Sequence, residues 1–89
     1  MPERSVQIVN RNGLHARPAA EIVKTAARFS CDLTIAREDV EVNGKSIMGV
    51  MMLAAEYGST VRLKADGPDA DAALDALSTL IASRFGEST

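Results

Sequence analysis

The chain has 89 residues, 46% hydrophobic and 25% charged, with a formal net charge of −2. That composition fits one globular domain over residues 1–89 with a modest core, and it lacks the basic surplus that nucleic acid or an acidic membrane surface would attract. No apolar run approaches the roughly 20 residues that cross a bilayer, no signal-peptide core follows the first residues, and Cys31 is alone, so a cytoplasmic, reduced protein without membrane insertion is expected.

In chain order, Ser5–Asn10 reads as a strand with Val6 and Ile8 on one face. Arg11-Asn12-Gly13 breaks it, and a helix follows from Ala16 to about Phe29. Ala19, Ile22, Val23, Ala26 and Ala27 make its apolar stripe, while Glu21, Lys24 and Arg28 face away. Leu33 and Ile35 mark a second strand, and Val40 and Val42 a third, joined through a Glu38-Asp39 hairpin that lacks the usual glycine or asparagine. Asn43-Gly44-Lys45-Ser46 opens a short helix carrying Ile47, Met48, Val50, Met51, Met52 and Leu53, with Ser46 as its N-cap. Val61, Leu63 and Ala65 alternate with Arg62 and Lys64 in a fourth, half-buried strand. Asp69 is the expected N-cap of a last helix whose stripe is Ala70, Ala73, Leu74, Leu77, Leu80 and Ile81, and Gly86-Glu87-Ser88-Thr89 reads as a frayed tail. The order is strand, helix, strand, strand, helix, strand, helix. Polar alternation on the strands places all helices on one face of the sheet, a two-layer sandwich.

Gly13-Leu14-His15-Ala16-Arg17-Pro18-Ala19-Ala20 contains the only histidine. Imidazole is a nucleophile near neutral pH. The start of a helix attracts anions through backbone N–H groups that have no intrahelical partner, and an arginine fork suits phosphate oxygens. Pro18 stiffens the helix entry without costing a hydrogen bond. A nucleophile, an anion site and a clamp in one segment point to transient phosphorylation of His15. The chain has no metal-ligand cluster and no Gly-x-Ser-x-Gly segment to pair with the histidine. Its three aromatics, Phe29, Tyr57 and Phe85, are too few to predict a stacking platform for nucleic acid. Cys31 reads as a reduced, partly buried filler.

Gly13-Leu14-His15-Ala16-Arg17-Pro18-Ala19 resembles the active-site signature of the HPr family, the histidine-containing phosphocarriers of the bacterial phosphotransferase system. Lys45-Ser46-Ile47-Met48-Gly49-Val50-Met51 is similar to that family's regulatory-serine segment. The resemblance implies an α+β open-faced sandwich, βαββαβα, with a four-stranded antiparallel sheet in the order 1-4-2-3 backed by three helices. It implies a phosphoryl carrier, not an enzyme: His15 takes phosphate on Nδ1 from phosphorylated enzyme I and passes it to enzyme IIA domains in sugar uptake, with Arg17 and the backbone N–H groups of Ala16 and Arg17 holding the group. It further implies Ser46 as a target of HPr kinase/phosphorylase, and a partner-docking surface of Ile47, Met48 and Met51 with Ala20 and Lys24 across from them. Neither cofactor nor metal is expected, and the chain is expected to be a monomer. Gly67-Pro68-Asp69 and Phe85-Gly86-Glu87 are similar to the nitrogen-related branch, which leaves a regulatory carrier as the alternative. A module acting through Ser46 alone is disfavoured by the presence of His15 and Arg17.

Overall fold

A computed structural model describes residues 2–87. Its elements are β1 (Glu3–Gln7), α1 (Ala16–Ala26), β2 (Asp32–Arg37), β3 (Val40–Asn43), α2 (Ile47–Met52), β4 (Thr60–Asp66) and α3 (Ala70–Ala82), followed by a 3₁₀ turn at Arg84–Gly86. The strands form one antiparallel sheet in the order β1-β4-β2-β3. This is the strand order the family resemblance implies, and the alternation along the strands explains its register. Val6 pairs with Val61, Leu63 with Ile35 and Ala65 with Leu33, so one register puts every apolar partner on the helix-covered side. Arg62 and Lys64 fall on the other face, where Lys64 Nζ meets Glu41 Oε2 at 3.0 Å.

The core lies between sheet and helices. Ile8, Ile22, Ile35, Val50, Leu53, Val61, Leu63, Leu74, Leu77 and Ile81 are all essentially inaccessible, and burying such a side chain contributes roughly 1.5–3 kcal/mol. β4 is central, paired on both sides, and contributes three inward residues from seven.

Several boundaries differ from the sequence reading. β1 starts at Glu3 and ends at Gln7; Ile8 still exchanges bonds with Gly58 and Ser59, but Asn10 leaves the sheet to close a turn onto Gly13. α1 ends at Ala26, and Ala27 is exposed, because Arg28 N and Phe29 N bond back only three residues, the tightened last turn of a helix. Lys45 Nζ then donates to Phe29 O at 2.8 Å, satisfying a carbonyl just past that end. The two-residue hairpin is made by Glu38 at φ 55°, a left-handed position that glycine would occupy more cheaply, with Arg62 donating to Glu38 O at 2.6 Å.

Asp69 precedes α3 but does not cap it. Its side chain makes no cap bond; Oδ2 instead accepts from Ser30 N at 2.8 Å and Oδ1 from Cys31 N at 2.9 Å. The carboxylate thus ties the α1–β2 turn to the β4–α3 turn, bonding the Ser30 and Cys31 N–H groups in place of the helix's own. Gly67 allows this approach: at φ +149° an added Cβ would stand 2.7 Å from Cys31 Cα. Cys31 fills the space beneath and is fully buried, not partly as expected, and that burial raises its thiol pKa.

These bonds, the one from Ser30 N foremost, hold the Asp69 carboxyl below its ordinary range. A lowered folded-state pKa means a contribution to stability that is complete above the unfolded value near pH 4 and lost as pH falls through the folded value. Asp69→Asn should therefore flatten the acid limb of the stability–pH profile. Urea unfolding at pH 7 and at pH 3 measures this; an unchanged difference between the two pH values in the variant would contradict it.

Candidate functional site

The site begins with the turn before α1. Gly13 sits at φ +67°, in the left-handed region, and its N–H bonds Asn10 O. Leu14 is buried and its N–H donates to Ala55 O at 2.9 Å, pinning the loop to the segment after α2. His15 follows as N-cap residue of α1, in extended conformation, with its carbonyl accepting the first helical bond from Ala19 N and its side chain making no cap bond. The imidazole is left for other work. Pro18 has no N–H, so Ala16 and Arg17 carry the free backbone donors of this first turn, and no acidic residue lies in it to cancel the helix field. The His15 and Arg17 side chains are 41% and 50% exposed.

A third group joins them. Glu87 Oε2 lies 2.9 Å from His15 Nε2 and 2.8 Å from Arg17 Nη2, and Arg17 Nη2 also donates to Phe85 O at 3.1 Å. Glu87 Oε1 accepts from Asn10 Nδ2 at 3.0 Å. The Glu87 carboxyl is held below its usual range, chiefly by the Arg17 guanidinium and then by His15. The last described residues are therefore not a frayed tail. Phe85, 4% exposed, anchors in the core, and three consecutive positive φ values at Arg84, Phe85 and Gly86 turn the chain back so that Glu87 reaches the start of α1. Ser88 and Thr89, the rest of the expected tail, lie outside the described residues.

Sequence reasoning found His15, Ala16 and Arg17 and missed Glu87, Asn10 and the Phe85 carbonyl. One signal was present. An apolar residue just past a helix end, followed by glycine, often means a chain that folds back onto its core. For Asn10 there was none, since a buried asparagine looks like any loop asparagine.

The second predicted segment forms α2 as expected. Ser46 Oγ accepts from Gly49 N at 3.1 Å, a true N-cap. Val50 and Leu53 turn inward, while Ile47, Met48, Met51 and Met52 are 44%, 76%, 43% and 73% exposed. Ala20 and Lys24 are exposed on α1, which packs against α2. Tyr57, outside the residues singled out from sequence, is also an exposed large apolar side chain. Among the described residues no three His, Cys, Asp or Glu side chains converge as a metal site, and no helix is long and apolar enough to cross a membrane.

The profile of the family described as "PTS HPr component phosphorylation site" matches residues 2–83. The chain belongs to the HPr family. The HPr phosphocarrier of Cupriavidus necator is 52% identical over 87 residues, 98% of each chain. Among solved structures, HPr-C-His from Thermoanaerobacter tengcongensis superposes with a TM-score of 0.96 at 46% identity over the whole of both chains. HPr from Bacillus anthracis gives 0.86 at 44% identity, covering 90% of this chain and 95% of that one. An HPr is a phosphocarrier of the phosphotransferase system and not a catalyst, and the HPr fold is the one described above.

Proposed function

We propose that His15 accepts a phosphoryl group on Nδ1 from phosphorylated enzyme I and gives it to a histidine of an enzyme IIA domain. The observation that carries this reading is the Glu87 carboxylate between His15 and Arg17. An anion already sits against the Arg17 fork and the Nε2 edge of the ring, which leaves Nδ1 to the phosphoryl group. In the acceptor step the Nδ1 lone pair forms a bond to phosphorus as the donor's N–P bond breaks, and that electron pair returns to the donor's nitrogen. The new group brings about −1.5 to −2 charges. The Ala16 and Arg17 N–H groups and the guanidinium then hold it, and Arg17 turns to it from Glu87, which the added charge repels. Helix-terminus stabilisation is worth roughly 0.3–2 kcal/mol, enough to orient the group without trapping it.

Ile47, Met48 and Met51, with Ala20 and Lys24, form the face on which enzyme I and IIA domains dock. Exposed methionines adapt to differently shaped partners. One copy carries both the histidine and this face, so a single copy suffices for the relay we propose. Ser46 serves as the α2 cap and as the site for HPr kinase/phosphorylase. A phosphate there would add charge to the edge of the apolar face and weaken docking.

The test of the relay is transfer. Purified phosphorylated protein mixed with an enzyme IIA domain from the same organism should lose its label to that domain; retention of the label would count against the reading. Met48→Asp should raise the KM for this protein in phosphorylation by enzyme I about tenfold or more, since tenfold is only about 1.4 kcal/mol and burying an unpaired charge is strongly unfavourable, and should leave the melting temperature unchanged because Met48 is exposed. An unaltered KM would remove Met48 from the interface.

A further inference from the structure

The Asn10 side chain is completely buried, and its Nδ2 donates to both Gly13 O at 2.8 Å and Glu87 Oε1 at 3.0 Å. Both partners are acceptors, which fixes the amide: turned over, it would press oxygen against oxygen twice. The consequence is that Oδ1 has no donor among the described residues. Here the amide spends both its donors on the loop before His15 and on the carboxylate beside it.

The same carboxylate constrains the imidazole. An ionised carboxylate only accepts, so the proton shared between Glu87 Oε2 and His15 Nε2 belongs to Nε2. In a neutral imidazole with hydrogen on Nε2, Nδ1 carries the lone pair. A ring held by its Nε2–H has a fixed plane as well as a fixed tautomer, as when a carboxylate orients the histidine of a catalytic triad or a metal site.

We infer that Glu87, itself positioned by Asn10, is a positioning residue for the acceptor step: it holds His15 as the Nε2–H tautomer and aims the Nδ1 lone pair at the incoming phosphorus. This deepens the reading of His15 as phosphoryl acceptor and rests on it. Glu87 also occupies Arg17, which the arriving phosphoryl group needs, so a competing effect exists. The inference is that ring positioning outweighs it in the acceptor step.

His15 is the only imidazole in the chain, so its tautomer can be read without assignment by long-range ¹H–¹⁵N correlation of the ring nitrogens. The unphosphorylated protein, at a pH where the ring is neutral, should show hydrogen on Nε2 alone. Glu87→Ala should average the two tautomers and slow phosphorylation by enzyme I and phosphoenolpyruvate on the order of tenfold, as loss of a carboxylate behind a working histidine does elsewhere. Glu87→Gln keeps an acceptor oxygen for Nε2–H and should keep the tautomer and most of the rate. A wild-type ring that already averages, a Glu87→Ala protein with the wild-type tautomer and rate, or one phosphorylated faster than wild type would each overturn the inference, the last by making Glu87 a competitor for Arg17. Failure of the wild-type protein to take phosphate on His15 at all would instead overturn the phosphocarrier mechanism and leave the tautomer measurement standing.

Discussion

His15→Ala should accept no phosphoryl group from enzyme I, while folding as the parent does. The first half follows from inventory. No second imidazole exists in the chain, and the hydroxyl of Ser46 is engaged as acceptor for Gly49 N, with no base beside it to make it a nucleophile. The second half follows from the way α1 begins. The His15 side chain caps nothing, and the helix start is set by the His15 carbonyl, Pro18 and the Leu14–Ala55 bond, none of which the substitution removes. The imidazole is 41% exposed, and surface substitutions away from special features usually change stability by less than about 0.5 kcal/mol. Phosphorylation with radiolabelled phosphoenolpyruvate, run beside thermal unfolding, tests both halves. Label on the variant would refute the role of His15, and a collapsed melting transition would refute the description of the helix start.

Gly13→Ala should damage stability and phosphorylation together. An added Cβ would lie 2.6 Å from Ala55 O and 3.0 Å from Glu56 Cα, both backbone atoms, and neither can rotate aside as a side chain would. The left-handed φ of +67° adds about 1–2 kcal/mol for a residue with a Cβ. Together these should cost roughly 2–4 kcal/mol. In a domain of this size that lowers the melting temperature by roughly 10 °C or more. The strain also acts where Leu14 is clipped to Ala55, one residue before the nucleophile, so the phosphorylation rate at a temperature where the variant is folded should fall as well. A melting temperature within a few degrees of the parent would show that the loop can re-form around a methyl group.

The fold was legible because its signals are local and periodic. Val61, Leu63 and Ala65 alternate with charged residues over a whole strand, and the α3 stripe from Ala70 to Ile81 has Leu80 as its only half-buried member. The HPr resemblance added the strand order, which periodicity alone does not give, since β1 and β4 pair across most of the chain. His15, Arg17 and Ser46 were legible because each sits at a helix start, where residue type and position carry physical meaning on their own.

What escaped the sequence is long-range. Asp69 has the right residue type in the right place for a cap, yet its carboxylate goes to Ser30 and Cys31, 39 and 38 residues away. Glu87 lies 72 residues from His15 and 70 from Arg17, in a stretch whose glycine and small polar residues suggested fraying. Its placement depends on Phe85 entering the core and on three left-handed residues, a combination that local propensity disfavours and tertiary packing imposes. The site is thus built from both ends of the chain. The beginning supplies His15 and Arg17, and the last described residue supplies the carboxylate that lies between them.

The central claim is that one phosphoryl group forms a bond to Nδ1 of His15. Multidimensional NMR of the ¹⁵N-labelled protein after reaction with enzyme I and phosphoenolpyruvate tests it most directly, because phosphorus coupling identifies the nitrogen that carries it. The account predicts a single phosphorylated species, labile in acid, with the coupling on Nδ1 and the proton still on Nε2. Phosphorus on Nε2, or an acid-stable ester on a serine in place of phosphohistidine, would contradict it.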